Sequence, residues 1–177
     1  MKSIRLFCTL AALVAAVQLS GCATPATSQA MTVQPGATAP VNPKLKGAIK
    51  VGEVAGGKDT NPLWTSQVDN AGFKKALQDS LAISGYLAPE AGGARYEVSA
   101  SLVSLDQPLF GLTLDVKSVV NYKLAGAGMD KSLPVTATGT ATTSDTWVAI
   151  ERLRIANERS ILENIKAFIN QLGAVGN

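Results

Sequence analysis

Three stretches of period-two alternation occupy much of the second half of this 177-residue chain, and they demand a sheet with one dry face. Tyr96, Val98, Ala100 and Leu102 alternate with polar residues across 95–105, and Leu112, Leu114, Val116, Val120 and Tyr122 do so across 111–124. Successive side chains of a strand point to opposite faces, so each run sets an apolar row against a core and a polar row in water. The two runs predict a hairpin closed across Asp106, Gln107, Pro108, Leu109 and Phe110. A further run over 133–143 puts Thr136, Thr138, Thr140 and Thr142 on one face and Val135, Ala137, Gly139 and Ala141 on the other. The small row reads as a surface lying beneath a helix, and the threonine row as β-propensity on a solvated face.

Two helical patterns supply the cover. Phe73, Ala76, Leu77, Ser80 and Leu81 recur at helical spacing after Ser66 and Asp69, which resemble a capping box, and Gly85 is a C-terminal stop. Ile150, Leu153, Ile161, Ile165, Phe168 and Leu172 form the apolar stripe of a longer helix, capped by Asp145 or Thr146. On that helix Arg154 with Glu158, and Arg159 with Glu163, stand at i,i+4 spacing and predict a salt-bridged outer face. Ahead of both helices, residues 48–54 read as a strand closed by Gly56 and Gly57. The predicted order is β-α-β-β-β-α: an α+β two-layer sandwich with a four-stranded, mainly antiparallel sheet and two helices on one face. There is no internal repeat.

The N-terminal segment has a different character. Lys2 and Arg5 precede an apolar run over 6–16, too short for a membrane span of roughly 20 residues and of the length of a signal-peptide core. Leu19, Ser20, Gly21 and Cys22 follow, and they resemble a bacterial lipobox. The resemblance implies cleavage between Gly21 and Cys22, diacylglycerol on the Cys22 sulfur and acylation of the new amine with a chain such as palmitate. Ala23, where Asp would signal retention at the inner membrane, implies the periplasmic face of the outer membrane. On this reading residues 1–21 are a signal peptide and 22–43 a lipidated flexible tether. The tether is uncharged and without apolar period, spanning about 25 Å as a coil, and 44–177 form a single domain.

Composition narrows the chemistry. Without Lys2 and Arg5, fourteen basic residues face thirteen acidic ones with no basic cluster, which argues against a nucleic-acid partner. Cys8 lies in the signal and Cys22 carries lipid, so the domain has no thiol and no disulfide. Histidine is absent, which removes the usual general base and the commonest transition-metal ligand. No metal, cofactor or catalytic set is predicted. Asp59, Asp69 and Asp106 have no local carboxylate partner, and Lys58 with Ser66 matches a Ser-Lys pair in composition only. Residues 52–58 match the first seven positions of a phosphate-binding loop. Asp59 then stands where Ser or Thr must hold Mg²⁺, and Pro62 delays the helix, so no nucleotide is expected.

Four apolar residues are candidate partner contacts. Trp64 and Trp147 stand just before the two helices, where they serve either as anchors for a partner or as staples that close the core. Leu109 and Phe110, at the hairpin tip, are either an exposed contact for a protein or a bilayer, or core beneath a helix end.

The lipobox, tether and element order together resemble small outer-membrane lipoproteins of proteobacteria, in layout similar to the lipopolysaccharide-assembly lipoprotein and to auxiliary lipoproteins of ABC-type lipid transporters. Asn61, Pro62, Leu63, Trp64 and Thr65, with the later Ala156, Asn157, Glu158 and Glu163, Asn164, Ile165, are similar to an uncharacterised family of this kind. Chains of that family sometimes carry the name UDP-N-acetylglucosamine acyltransferase. The residues oppose that activity, since such enzymes resemble a hexapeptide-repeat β-helix with a histidine base and a cytoplasmic acyl-carrier substrate. The resemblance implies a non-enzymatic accessory or adaptor, held to the membrane by Cys22, for an envelope assembly or lipid-transport complex. Two alternatives stand beside it: an enzyme modifying envelope lipid or glycan, and a structural subunit pairing through a sheet edge.

Overall fold

The computed structural model describes residues 23–90, 92–108 and 110–176; Gly21, Cys22 and Leu109 lie outside the described residues. Strand β1 (Ile49–Ala55), helix α1 (Asn70–Ile83), strands β2 (Tyr96–Asp106), β3 (Leu114–Gly126) and β4 (Met129–Ala141), and helix α2 (Ala149–Ala174) follow in the predicted order. The sheet runs β1-β2-β3-β4, with β1 parallel to β2 and both other pairs antiparallel. The α+β, mainly antiparallel fold is the expected one.

The alternation does its predicted work. In β3, Leu114, Val116, Ser118, Val120, Tyr122 and Leu124 are buried while Asp115, Lys117, Asn121 and Lys123 are exposed. On β4, Thr136, Thr138 and Thr140 face water, and Gly139 lies under α2 as the small row requires. Both helices turn apolar stripes to the same core, Phe73, Leu77 and Leu81 from α1 and Ile161, Ile165, Phe168 and Leu172 from α2. At its centre Tyr122 stacks on Phe168 at 3.9 Å between ring centroids and meets Phe73 edge-on. The Tyr122 hydroxyl donates to Asn164 Oδ1 (3.0 Å), and burial pushes its pKa well above the usual phenolic value. Asn164 Nδ2 in turn donates to Ser118 Oγ (3.1 Å) and to the Val135 carbonyl (3.2 Å), so the polar group is satisfied inside the core.

Several expectations need correction. Asp69 alone caps α1, accepting from Gly72 N at 2.8 Å, while Ser66 Oγ donates to the Thr24 carbonyl. Neither Asp145 nor Thr146 caps α2: its N-cap is Val148, which makes no side-chain cap bond. Arg154 does pair with Glu158 (2.7 Å), but Arg159 binds Asp145 (2.6 Å) instead of Glu163, which pairs with Lys166.

The largest correction concerns residues 23–43. The expected tether is part of the domain. Ala26, Met31 and Val33 are buried in the main core, and the chain is bonded to both helices along its length. Thr27 donates to Glu158 of α2 through its N–H (2.9 Å) and hydroxyl (3.0 Å). Val33 N donates to Ser80 Oγ of α1 (3.1 Å), and Ala39 N to Asn170 Oδ1 of α2 (2.8 Å). The Asn42 N–H donates to the Tyr86 hydroxyl and its side-chain amide to the Leu172 and Val175 carbonyls. The segment is irregular, so its backbone groups bond to side chains projecting from the helices rather than to a ladder. The expected outer face of α2 is thereby partly covered, with Glu158 buried beneath Thr27.

Candidate functional site

Strand polarity gathers three connections at one end of the molecule. Because β1 runs with β2 and β3 and β4 alternate, the ends of β1, β2 and β4 and the start of β3 all face the same way. The connections 56–69, 107–113 and 142–148 therefore meet, together with the first turns of α1 and α2.

Side-chain amides staple them. Gln107 Nε2 donates to the Ser66 carbonyl (2.9 Å) and to Asn157 Oδ1 (2.9 Å), and its Oε1 accepts from Gln67 Nε2 (3.2 Å). Asn157 Nδ2 closes the set on the Ser66 carbonyl at 3.0 Å. Every amide hydrogen-bonding group of Gln107 is thus used internally. Arg152, 4% exposed, performs the second closure: Nη1 donates to the carbonyls of Thr146 and Trp147 (both 3.0 Å) and Nη2 to that of Gly111 (3.2 Å). Its Nε is buried without a partner. A guanidinium fork with five fixed donors suits this task, which lysine could not perform.

Between these staples lies an apolar groove of about 610 Å³. Trp64 and Phe110 form its lips, Leu105 and Leu114 of the sheet and Ile150 and Leu153 of α2 its walls, and Thr65 and Gln107 its polar lining. The volume falls within the ordinary range of small-molecule sites. Of the four ionisable groups with displaced pKa values, Tyr122, Asp145, Arg154 and Arg159, none lines it.

Around the groove stands an exposed apolar rim. Leu63 (90% exposed), Trp64 (75%), Phe110 (90%), Leu112 (72%), Trp147 (81%) and Val148 come from the three connections. Only Ile83 and Val103 among the described large hydrophobics are comparably exposed elsewhere. Of the two readings of the tryptophans, the core-closing one is incorrect, because both side chains stand largely in solvent instead of packing on the core. Trp64 N donates to the Asn61 carbonyl, and Trp147 precedes the Val148 N-cap. Phe110 is exposed as its contact reading required; Leu109 lies outside the described residues. Gly21 and Cys22 lie outside them too, but their chain neighbour Ala23 sits here, its N–H donating to the Pro62 carbonyl at 2.8 Å.

The remaining candidates are dispersed. Asp69 is a helix cap, Asp106 stands opposite Lys117 in the β2–β3 register, and the Lys58 N–H donates to the Val68 carbonyl at a strand exit. Among the described residues no three acidic, thiol or imidazole groups gather as a metal site. No helix of the described residues is long and apolar enough to cross a membrane. Sequence reasoning missed Leu63, Leu112, Ile150 and Leu153 as site residues, and also the Gln107–Asn157 staple. Leu63 beside Trp64 and Leu112 two residues after Phe110 were the available signal.

The connection carrying Trp147 is held by an acid-sensitive bond. Arg159 donates to both oxygens of Asp145 (2.6 and 2.9 Å) and Thr142 N to Oδ2 (2.8 Å), which lowers the Asp145 pKa from 3.8 to about 2. A depressed folded pKa contributes stability above the unfolded value that is lost as pH falls through the folded one. Stability is therefore expected to drop between about pH 4 and pH 2, and Asp145→Asn to flatten that interval in urea titrations at each pH. An unchanged acid limb in the variant would show that the bond plays no part in it.

No protein-family model matches the chain, and no curated protein matches it in sequence. Solved structures do resemble it. A DUF330-family protein of Xanthomonas campestris shares 14% identity over 80% of this chain and 94% of its own, with a TM-score of 0.54. A candidate lipoprotein of Caulobacter crescentus shares 17% over 71% and 88%, with a TM-score of 0.48. A minor lipoprotein of Acinetobacter baumannii shares 12% over 58% and 81%, at 0.39. What the chain has in common with the first is the fold.

Proposed function

We propose that this chain is a lipid-anchored lipoprotein on the periplasmic face of the outer membrane, and that it serves as a non-enzymatic accessory of an envelope assembly or lipid-transport complex. One observation carries the reading: Ala23, the residue bonded to the lipobox cysteine, is fixed at the end of the domain that bears the apolar groove and rim. Anchor and contact surface coincide. The groove lining supports binding over catalysis, since its walls are aliphatic and aromatic and its Gln107 amide is already saturated. The ordered 23–43 segment changes how the anchor acts: the domain is held against its membrane, not suspended from it.

The test uses the full chain in envelopes, with and without Cys22→Ser. A palmitate analogue is expected to label the native chain alone, and a photo-crosslinker at Thr138, on the wet sheet face, to trap one defined envelope protein only in the labelled form. Absence of label removes the anchor. Label without any crosslinked protein, from Thr138 or from Lys117 beside it on the sheet, removes the accessory role.

A further inference from the structure

We infer that the apolar rim is a bilayer-docking face, with Leu63, Trp64, Phe110, Leu112 and Trp147 seated in the interfacial layer of a phospholipid membrane. The inference rests on the anchor reading for which membrane is met, and goes beyond it in assigning the orientation of the domain and the occupant of the rim.

Three observations on separate parts of the chain point to lipid. The first is where the chain outside the described residues begins. A residue bonded to Ala23 has its Cα about 3.8 Å away, and Ala23 is held to Pro62, next to Leu63 and Trp64. Thr24 is held at the same place by Ser66 Oγ (2.7 Å). Acyl chains on Cys22 therefore enter the bilayer beside the rim, and the ordered segment that follows leaves no slack by which the rim might stand clear.

The second is composition. Both tryptophans of the chain are in the rim, with a phenylalanine and two leucines. Tryptophan carries a large apolar ring and one N–H donor, which suits the boundary between headgroups and acyl chains. The third is charge. On the first turns of α2 the charges are held within the protein: Glu151 and Glu158 both bind Arg154 (2.9 and 2.7 Å), and the Arg152 guanidinium is turned inward onto carbonyls. Among the described residues no cationic cluster surrounds the rim, so the attraction is apolar and largely independent of anionic lipid.

The core clusters of the described residues run from Ala26 to Val175, so residues 22–177 with Cys22→Ser serve as a lipid-free test protein. It is mixed with vesicles of phosphatidylethanolamine and phosphatidylglycerol. Both tryptophans report from the rim, so their emission is expected to shift to the blue on vesicles and to be quenched by lipids brominated on their acyl chains. Phe110→Ser and Trp64→Ser are each expected to weaken partitioning about tenfold, the loss of one large apolar side chain from an interface. Ile83→Ser, at the far end of α1 and about 20 Å away along the helix, is expected to leave it unchanged. Both rim residues are exposed, so the variants retain the parent's thermal unfolding, which circular dichroism checks.

Absence of both sedimentation and spectral shift at millimolar lipid would overturn the proposal. So would equal effects of Ile83→Ser and Phe110→Ser, or a blue shift without lipid that grows with protein concentration, which would assign the rim to a second copy of the chain. Failure here with Cys22 labelling intact leaves an anchored protein that stands off its membrane. Vesicle binding with no labelling keeps the docking face and removes the anchor.

Discussion

Met31→Ala is expected to lower the stability of the domain by about 2–5 kcal/mol, the range for truncating a buried large apolar side chain. Met31 is fully buried in the main core although it lies in a stretch of Ala, Thr, Pro, Ser, Gln and Gly. A residue in a flexible tether would show no effect, so one urea titration separates the two descriptions of residues 23–43. Removing the whole segment, so that the chain begins at residue 44, strips Val33 and Ala26 from the core as well. It also deprives Glu158 of its two Thr27 donors. Set against typical net stabilities of about 5–15 kcal/mol, that loss is expected to abolish cooperative unfolding and sharp near-ultraviolet dichroism. A truncated chain that melts at the parent's urea midpoint would restore the tether. The consequence for function is geometric: with the segment undocked, about 20 residues of coil would let the domain drift about 25 Å from its attachment point, and the rim would no longer be held to the membrane.

The same segment shows where sequence reasoning succeeds and where it stops. Alternation in 114–124 is legible because a sheet wet on one face and dry on the other writes its geometry into every second residue. Helical spacing in α1 and α2 is legible for the same reason. Residues 23–43 follow neither period, since an irregular strand of chain lying over two helices buries whichever side chains happen to face inward. The isolated Met31-Thr32-Val33 run was its only signal.

Strand ends were displaced for a local reason. The alternating runs expected over 111–124 and 133–143 lie in strands that reach Gly126 and start at Met129, because their hairpin closes tightly through Ala127 and Gly128, both at positive φ (44° and 80°). Paired positive φ values at the two central positions are the signature of a type I′ turn, which normally advertises itself by Asn-Gly; Ala-Gly does not. At the site, the aromatic lips were visible in the sequence and their exposure was not. Staples such as Gln107 with Asn157, and Asn157 with the Ser66 carbonyl, join residues 50 and 91 positions apart, which no local pattern encodes.

Gly139→Ala is expected to cost about 3 kcal/mol or more, at the upper end of what overpacking a core does. A Cβ at this position would lie 2.1 Å from Ser160 N, 2.4 Å from the Ala156 carbonyl oxygen and 2.6 Å from the Arg159 carbonyl carbon. All three are backbone atoms of α2, so no side chain can swing aside and the helix must move off β4 as a body. Gly92→Ala is the control: that glycine has positive φ but nothing within 4 Å of the added Cβ, so only the strain of an L-residue at positive φ remains, about 1–2 kcal/mol. Urea midpoints of the two variants measure the difference, and equal losses would mean that the β4–α2 contact yields easily. The contact also carries the groove. Ile150 and Leu153 on the first turns of α2 face Leu114 on β3 across it, and Arg152 on the same turns ties Trp147 to Gly111. Lifting α2 from the sheet therefore separates the groove walls and loosens two parts of the rim together. Gly139→Ala is accordingly expected to weaken vesicle binding under conditions where the variant remains folded, while Gly92→Ala leaves it intact.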